Sequence, residues 1–117
     1  MTIPLSVSAT AVEAVIAEST GPMVVLFKIP NCAPCELLGA ALGAMPHAFP
    51  DNAVVASQLE PGDVLGRSAH LRLGVRRYPT ILFVRNQSVM KKVDGLVTTD
   101  QGVYLRDVEE FLTGNCL

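Results

Sequence analysis

Apolar positions along the chain gather into short runs set off by glycine, proline, asparagine and aspartate, and the spacing inside each run predicts an element. Val12, Val15 and Ile16 recur at helical spacing. They follow Thr10-Ala11-Val12-Glu13, which has the form of a capping box, and Ser19-Thr20-Gly21-Pro22 stops the pattern, so a first helix is predicted over 8–18. No element is predicted before it. Residues 23–29 are almost wholly apolar and partly β-branched, bounded by Gly21-Pro22 and Pro30, as suits a central strand buried on both faces. A second helix begins near Pro34, which a first turn accepts, with Cys35, Leu38, Leu42 and Met45 on one face and Pro46 at its end. Residues 52–59 hold a shorter strand around Val54 and Val55, and Asp63 is placed to cap a helix through Leu71. Residues 80–84 and 88–93 read as a hairpin whose second strand carries Lys91-Lys92, a pair suited to a protected edge. Gly95 breaks that strand. Thr99 or Asp100 then caps a last helix with Tyr104, Val108, Phe111 and Leu112 on one face and Gly114 just past its end. A strand, a helix and a strand in succession imply a βαβ unit.

Composition narrows the class. A chain of 117 residues, half of them apolar and 17% charged, is about one domain's worth and can bury a core without staples. A single domain over 1–117, acting as a monomer, is the expectation. The net charge is −2, and Lys and Arg are scattered apart from Arg76-Arg77 and Lys91-Lys92. That gives no electrostatic footprint for nucleic acid or an anionic membrane. No apolar run approaches the length of a membrane span, and Met1-Thr2-Ile3-Pro4 lacks the basic region and apolar core of a signal peptide. A cytoplasmic location follows as an expectation.

Chemistry enters at Asn31-Cys32-Ala33-Pro34-Cys35, where the central strand gives way to the second helix. A Cys-x-x-Cys pair opening a helix holds both sulfurs within one turn, with α-carbons in the range a disulfide tolerates, so the pair can open and close. Cys32 sits among the unpaired N–H groups of the helix start, whose partial positive charge favours thiolate over thiol; it is the predicted nucleophile. Cys35, one turn in, is the predicted shielded, resolving thiol. Such positions lower a thiol from about 8.5 to roughly 3.5–7.5. Metal binding is the competing reading, but a structural zinc wants four ligands, and His47, His70 and Cys116 show no ligand-like spacing. His47 and His70 are assigned no chemistry, and Cys116 reads as an incidental thiol in a frayed tail.

Two motifs carry a resemblance to a known family over nearly the whole chain. Cys32-Ala33-Pro34-Cys35 resembles the Cys-Gly-Pro-Cys of thioredoxins, and Tyr78-Pro79-Thr80 resembles their Ile-Pro-Thr loop, in which the proline is cis. The resemblance implies the thioredoxin fold, an α/β arrangement with a central mixed β-sheet flanked by helices on both faces. It also implies a peptide groove in which the backbone of Tyr78 pairs with substrate, with Pro79, Asn31, Ala33 and Pro34 beside it. The implied activity is thiol–disulfide exchange on protein disulfides, using no cofactor beyond the Cys32–Cys35 pair and drawing electrons from a donor such as a reductase. Departures from the family are specific. Leu26 stands six positions before Cys32, where most thioredoxins carry a buried acid; the usual lysine of the next strand is replaced by Ser57 or a neighbour; and Lys28 and Asn31 replace flanking aromatics. Lys28 and Glu36 become candidates for tuning the Cys32 thiolate, in opposite senses. A binding or chaperone module, with the thiols secondary, is the alternative function.

Overall fold

The computed structural model describes residues 4–45, 49, 53–94 and 101–113. Gly95, Thr99, Asp100, Gly114 and Cys116, together with Pro46 and His47, lie outside the described residues. In chain order the elements are β1 (Leu5–Ser8), α1 (Val12–Ala17), β2 (Pro22–Lys28), α2 (Ala33–Gly43), β3 (Val54–Gln58), α3 (Val64–Arg72), β4 (Thr80–Arg85), β5 (Ser88–Asp94) and α4 (Gln101–Leu112). The strands form one mixed sheet in the order β1-β3-β2-β4-β5. β1 and β2 run parallel to β3, β4 is antiparallel to β2, and β5 is antiparallel to β4.

β2 takes the centre because it is apolar on both faces, and residues 23–27 are all buried. Its alternation divides the core into two layers. Val24 and Leu26 face Leu38 and Leu42 of α2 and Val108, Phe111 and Leu112 of α4. Met23, Val25 and Phe27 face Val12 and Ile16 of α1, with Val55, Val75, Leu82 and Val84. Phe27, Phe83 and Phe111 are among the largest fully buried side chains, each contributing about 1.5–3 kcal/mol relative to an exposed position. Helices on both faces of a mixed sheet are what the family resemblance implies.

The β4–β5 hairpin closes through Asn86 and Gln87, both at positive φ (49° and 72°), as a two-residue turn matched to strand twist requires. β5 is exposed along most of its length, and its Lys91 and Lys92 do lie on the sheet edge.

Two expectations at the N-terminus are corrected. Residues Leu5–Ser8 form a strand, which restricts the first helix to Val12–Ala17 instead of 8–18. The capping box from Thr10 does not form: Ala11 is the N-cap of α1, with no side-chain cap, and Thr10 Oγ1 lies 3.4 Å from Ser8 Oγ instead. Pairing of β1 with β3 leads the chain into α1 through a turn, Ala11 N–H donating to Ser8 C=O at 3.1 Å. By contrast Asp63 caps α3 as expected, its carboxylate accepting from Gly66 N–H at 2.9 Å.

Candidate active site

α2 begins at Ala33, so Cys32 is its N-cap, in extended conformation (φ −116°, ψ 101°). The Cys32 carbonyl accepts the first helical bond from Glu36 N–H at 3.1 Å, and its Sγ accepts from Cys35 N–H at 3.2 Å. One of the orphan donors of the helix start is therefore aimed at sulfur. Pro34 costs nothing here, because a first-turn N–H has no helical partner to lose. Cys32 and Cys35 are joined as a disulfide with α-carbons 5.2 Å apart. Cys32 is half-buried whereas Cys35 is fully buried, on the face of α2 that also buries Leu38 and Leu42. Asn31, Ala33 and Pro34 are exposed around the pair, and Asn31 turns the chain out of β2 through a left-handed conformation (φ 57°), which asparagine tolerates.

The second loop reaches the same end of the sheet through strand register. Phe27 pairs with Thr80, so the residues that follow β2 and those that precede β4 leave side by side. The Tyr78-Pro79 bond is cis, as the resemblance implies. Ile29, on the way to Cys32, and Tyr78 line one cavity of about 210 Å³, together with Leu59, Arg67 and Arg76. Among the described residues neither the N–H nor the C=O of Tyr78 is hydrogen-bonded to another main-chain group. Thr80 Oγ1 donates to Arg77 C=O at 2.7 Å and ties the loop to the start of β4.

Beneath the cysteines the floor is apolar. Leu26 is buried, and a β-carbon on Gly39 would lie 3.7 Å from its Cδ2. Gly39 is one turn along α2 from Cys35, on the same side of the helix, so Leu26 packs against α2 one turn from the buried thiol. Register decides between Ser57 and its neighbour: Leu26 pairs with Ala56, and Ser57 pairs with Phe27, in the opposite layer. Lys28 and Glu36, the two tuning candidates, approach each other at 4.0 Å. With Leu26, Gly39 and Ala56 they line a cavity of about 290 Å³. Their opposite charges offset one another at a distance. Among the described residues no group of three or more His, Cys, Asp or Glu is gathered as a metal site.

One part of the site was missed by sequence reasoning. His70, assigned no chemistry, is fully buried on α3, with Nε2 3.0 Å from Ser57 Oγ and Nδ1 2.7 Å from the Tyr78 hydroxyl. Phe27 packs against its ring edge to face, the centroids 4.8 Å apart. Burial pushes the His70 pKa down, Asp63 opposing by its charge, and burial pushes the Tyr78 phenol up. The signal was available: Ser57 falls on the buried phase of β3 with Val55, and a buried hydroxyl needs a partner.

The sequence model of the family described as Thioredoxin matches residues 4–104. The chain belongs to the thioredoxin family. As a family member it is a thiol–disulfide oxidoreductase whose redox-active pair is Cys32–Cys35. No curated protein matches the sequence. Solved thioredoxins share the fold at low identity. Thioredoxin O2 from Arabidopsis thaliana, in its oxidised state, is 17% identical with a TM-score of 0.72, over 95% of this chain and 96% of that one. Mitochondrial thioredoxin 3 from Saccharomyces cerevisiae, also oxidised, is 16% identical with a TM-score of 0.68, over 92% and 94%. The thioredoxin from Malassezia sympodialis is 17% identical with a TM-score of 0.69, over 95% and 92%. Membership of the thioredoxin family implies protein disulfides as the substrate class. Among the described residues no helix is long and apolar enough to cross a membrane.

Proposed function

We propose that this thioredoxin-family protein reduces protein disulfides in the cytoplasm, as a monomer of one domain over residues 1–117. Cys32 is the attacking thiol and Cys35 the resolving one. The observation that carries this reading is the N-cap geometry: a half-exposed sulfur that accepts a helix-start N–H, bonded to a sulfur that solvent does not reach. In the dithiol form the Cys32 thiolate attacks one sulfur of a substrate disulfide. The substrate S–S bond breaks, the departing sulfur takes a proton from water, and a mixed disulfide forms. Cys35 then gives up its proton and attacks Cys32 Sγ, the mixed disulfide breaks, and the second substrate thiol leaves. Two electrons have passed to the substrate and the protein holds the Cys32–Cys35 disulfide. A separate donor, such as a reductase, returns it to the dithiol. The Tyr78 main chain pairs with the extended substrate as an added strand, with Pro79, Asn31, Ala33 and Pro34 forming the walls, and the Lys28–Glu36 pair sets a small residual field at the thiolate.

Reduction of insulin disulfides under a dithiol donor, with Cys32→Ser as control, tests the reading. Turnover that Cys32→Ser abolishes supports it; a wild-type rate no faster than the donor alone sinks it. One observation favours a second reading, a binding or chaperone module in which exchange is secondary: the buried β2 side chain packed against α2 one turn from Cys35 is the apolar Leu26, which accepts no proton. That module would hold its partner equally well after both thiols are replaced by serine.

A further inference from the structure

The buried chain Ser57–His70–Tyr78 joins three elements that are far apart in sequence: β3, α3 and the loop before β4. Its two bonds have different functions. Ser57 and the imidazole are both fully buried, so the Nε2 contact ties α3 to the sheet inside the core. The Nδ1 contact leaves the core, because Tyr78 is half-buried and belongs to the substrate loop. A neutral imidazole satisfies both at once. It carries one N–H and one lone pair, and hydroxyls on either side can donate or accept, so no buried polar atom is orphaned in either tautomer.

Apart from this bond, the Tyr78 ring is held by apolar packing on the layer of Val25, Phe27 and Leu82, which fixes no hydrogen-bonding direction. Its backbone makes no main-chain hydrogen bond among the described residues, the feature that leaves it free to pair with substrate. A strand-like edge with nothing bonded to it is also free to rotate away, and each lost orientation lowers the share of molecules able to bind. The phenol, fixed at 2.7 Å on a buried imidazole that is itself held at 3.0 Å, adds a directional restraint to that packing. Ser57 and Phe27 keep the ring in place on two sides.

We propose that His70 is a positioning residue of the substrate loop: its Nδ1 holds the Tyr78 hydroxyl so that the Tyr78 main chain is presented to a peptide disulfide in one orientation. This rests on the reading of Tyr78 as the main-chain platform for substrate. It sets an uncharged histidine, outside the Cys-x-x-Cys segment, in control of substrate capture while leaving sulfur chemistry alone.

The two ring nitrogens can be replaced separately. An asparagine amide falls where Nδ1 sits and keeps the bond to Tyr78, whereas a glutamine amide reaches where Nε2 sits and keeps the bond to Ser57. Steady-state reduction of a peptide disulfide is measured for wild type, His70→Asn, His70→Gln and Tyr78→Phe, beside amide exchange at residues 76–80. His70→Gln and Tyr78→Phe should each raise KM about fivefold, the loss of one net hydrogen bond, with kcat held. Amide exchange at 76–80 should quicken by a similar factor, and His70→Asn should restore both. Tyr78→Phe removes a single oxygen and keeps the ring, so a failure of the histidine variants to fold leaves the comparison intact. Unchanged KM and exchange in Tyr78→Phe overturn the proposal, as does a loss confined to kcat or a rescue by glutamine in place of asparagine. If wild type itself fails to reduce the peptide, the reductase reading falls, and loop exchange alone decides whether His70 positions Tyr78.

Discussion

Cys32 Sγ is at once the acceptor that caps α2 and the atom proposed to attack substrate. The two roles reinforce each other, because a thiolate is a stronger acceptor for Cys35 N–H than a disulfide sulfur, so reduction strengthens the cap. In a Cys116→Ser background, iodoacetamide at neutral pH should therefore modify Cys32 well before Cys35, read by peptide mass. Faster labelling of Cys35 would reverse the assignment of roles. His70 supports a second prediction at this scale. Burial holds its pKa below the ordinary value, with the Asp63 charge opposing more weakly. The unfolded chain thus takes up a proton first as pH falls, and the stability from the neutral buried ring is complete above about 6.5 and lost progressively as pH drops toward the folded value. Melting temperature should fall between pH 7.5 and 5 by more in wild type than in His70→Asn, the subtraction removing His47 and the carboxylates. An equal fall in both would mean that His70 takes its proton without cost.

At the scale of elements, β2 and the βαβ unit around it were legible because burial on both faces leaves a run with almost no polar interruption. α3 was legible from Asp63, whose side chain does cap it. β1 was not. Leu5, Ser6 and Ser8 are exposed and only Val7 is half-buried, so a four-residue edge strand leaves no alternation to read. The site divides in the same way. The Cys-x-x-Cys segment and the Tyr78-Pro79 loop are local motifs, whereas the Ser57–His70–Tyr78 chain exists only once strand register fixes which layer Ser57 faces. The β2–α2 pair also carries a prediction. Leu26 packs against α2 one turn from Cys35, and Lys28 shares its face of β2. An acid at position 26 would give the Cys35 proton a nearby acceptor. Leu26→Asp should thus speed disulfide reduction through the resolving step, at about 2–4 kcal/mol of stability from the lost packing and the buried carboxyl. A folded variant with an unchanged or slower rate would show that water already serves as the acceptor.

Across the whole molecule, the strand order separates what holds the fold from what does the chemistry. The cysteine segment and the Tyr78 loop leave from β2 and β4, the two strands nearest the middle of the sheet on that side. β1 lies at the far edge, bonded among the described residues only to β3. Removing residues 1–7 takes away part of one edge ladder and the half-buried Val7, a loss of about 2–3 kcal/mol. Set against the roughly 5–15 kcal/mol typical of a domain, this leaves the fold populated. The melting temperature should fall by about 10 °C, while the rate of peptide-disulfide reduction per folded molecule stays within about twofold of wild type. The cost should appear elsewhere. Val54, Val55 and Ala56 lie along β3, and an uncovered edge of that composition is a template for pairing with another chain. The truncated protein should therefore aggregate faster at equal temperature, and light scattering beside the activity assay reads both effects. Lost activity in a truncated protein that remains folded and monomeric would show that β1 reaches the redox site, through the cavity that Pro4 and Ser6 share with Lys28 and Leu26, and that edge and site are not separable.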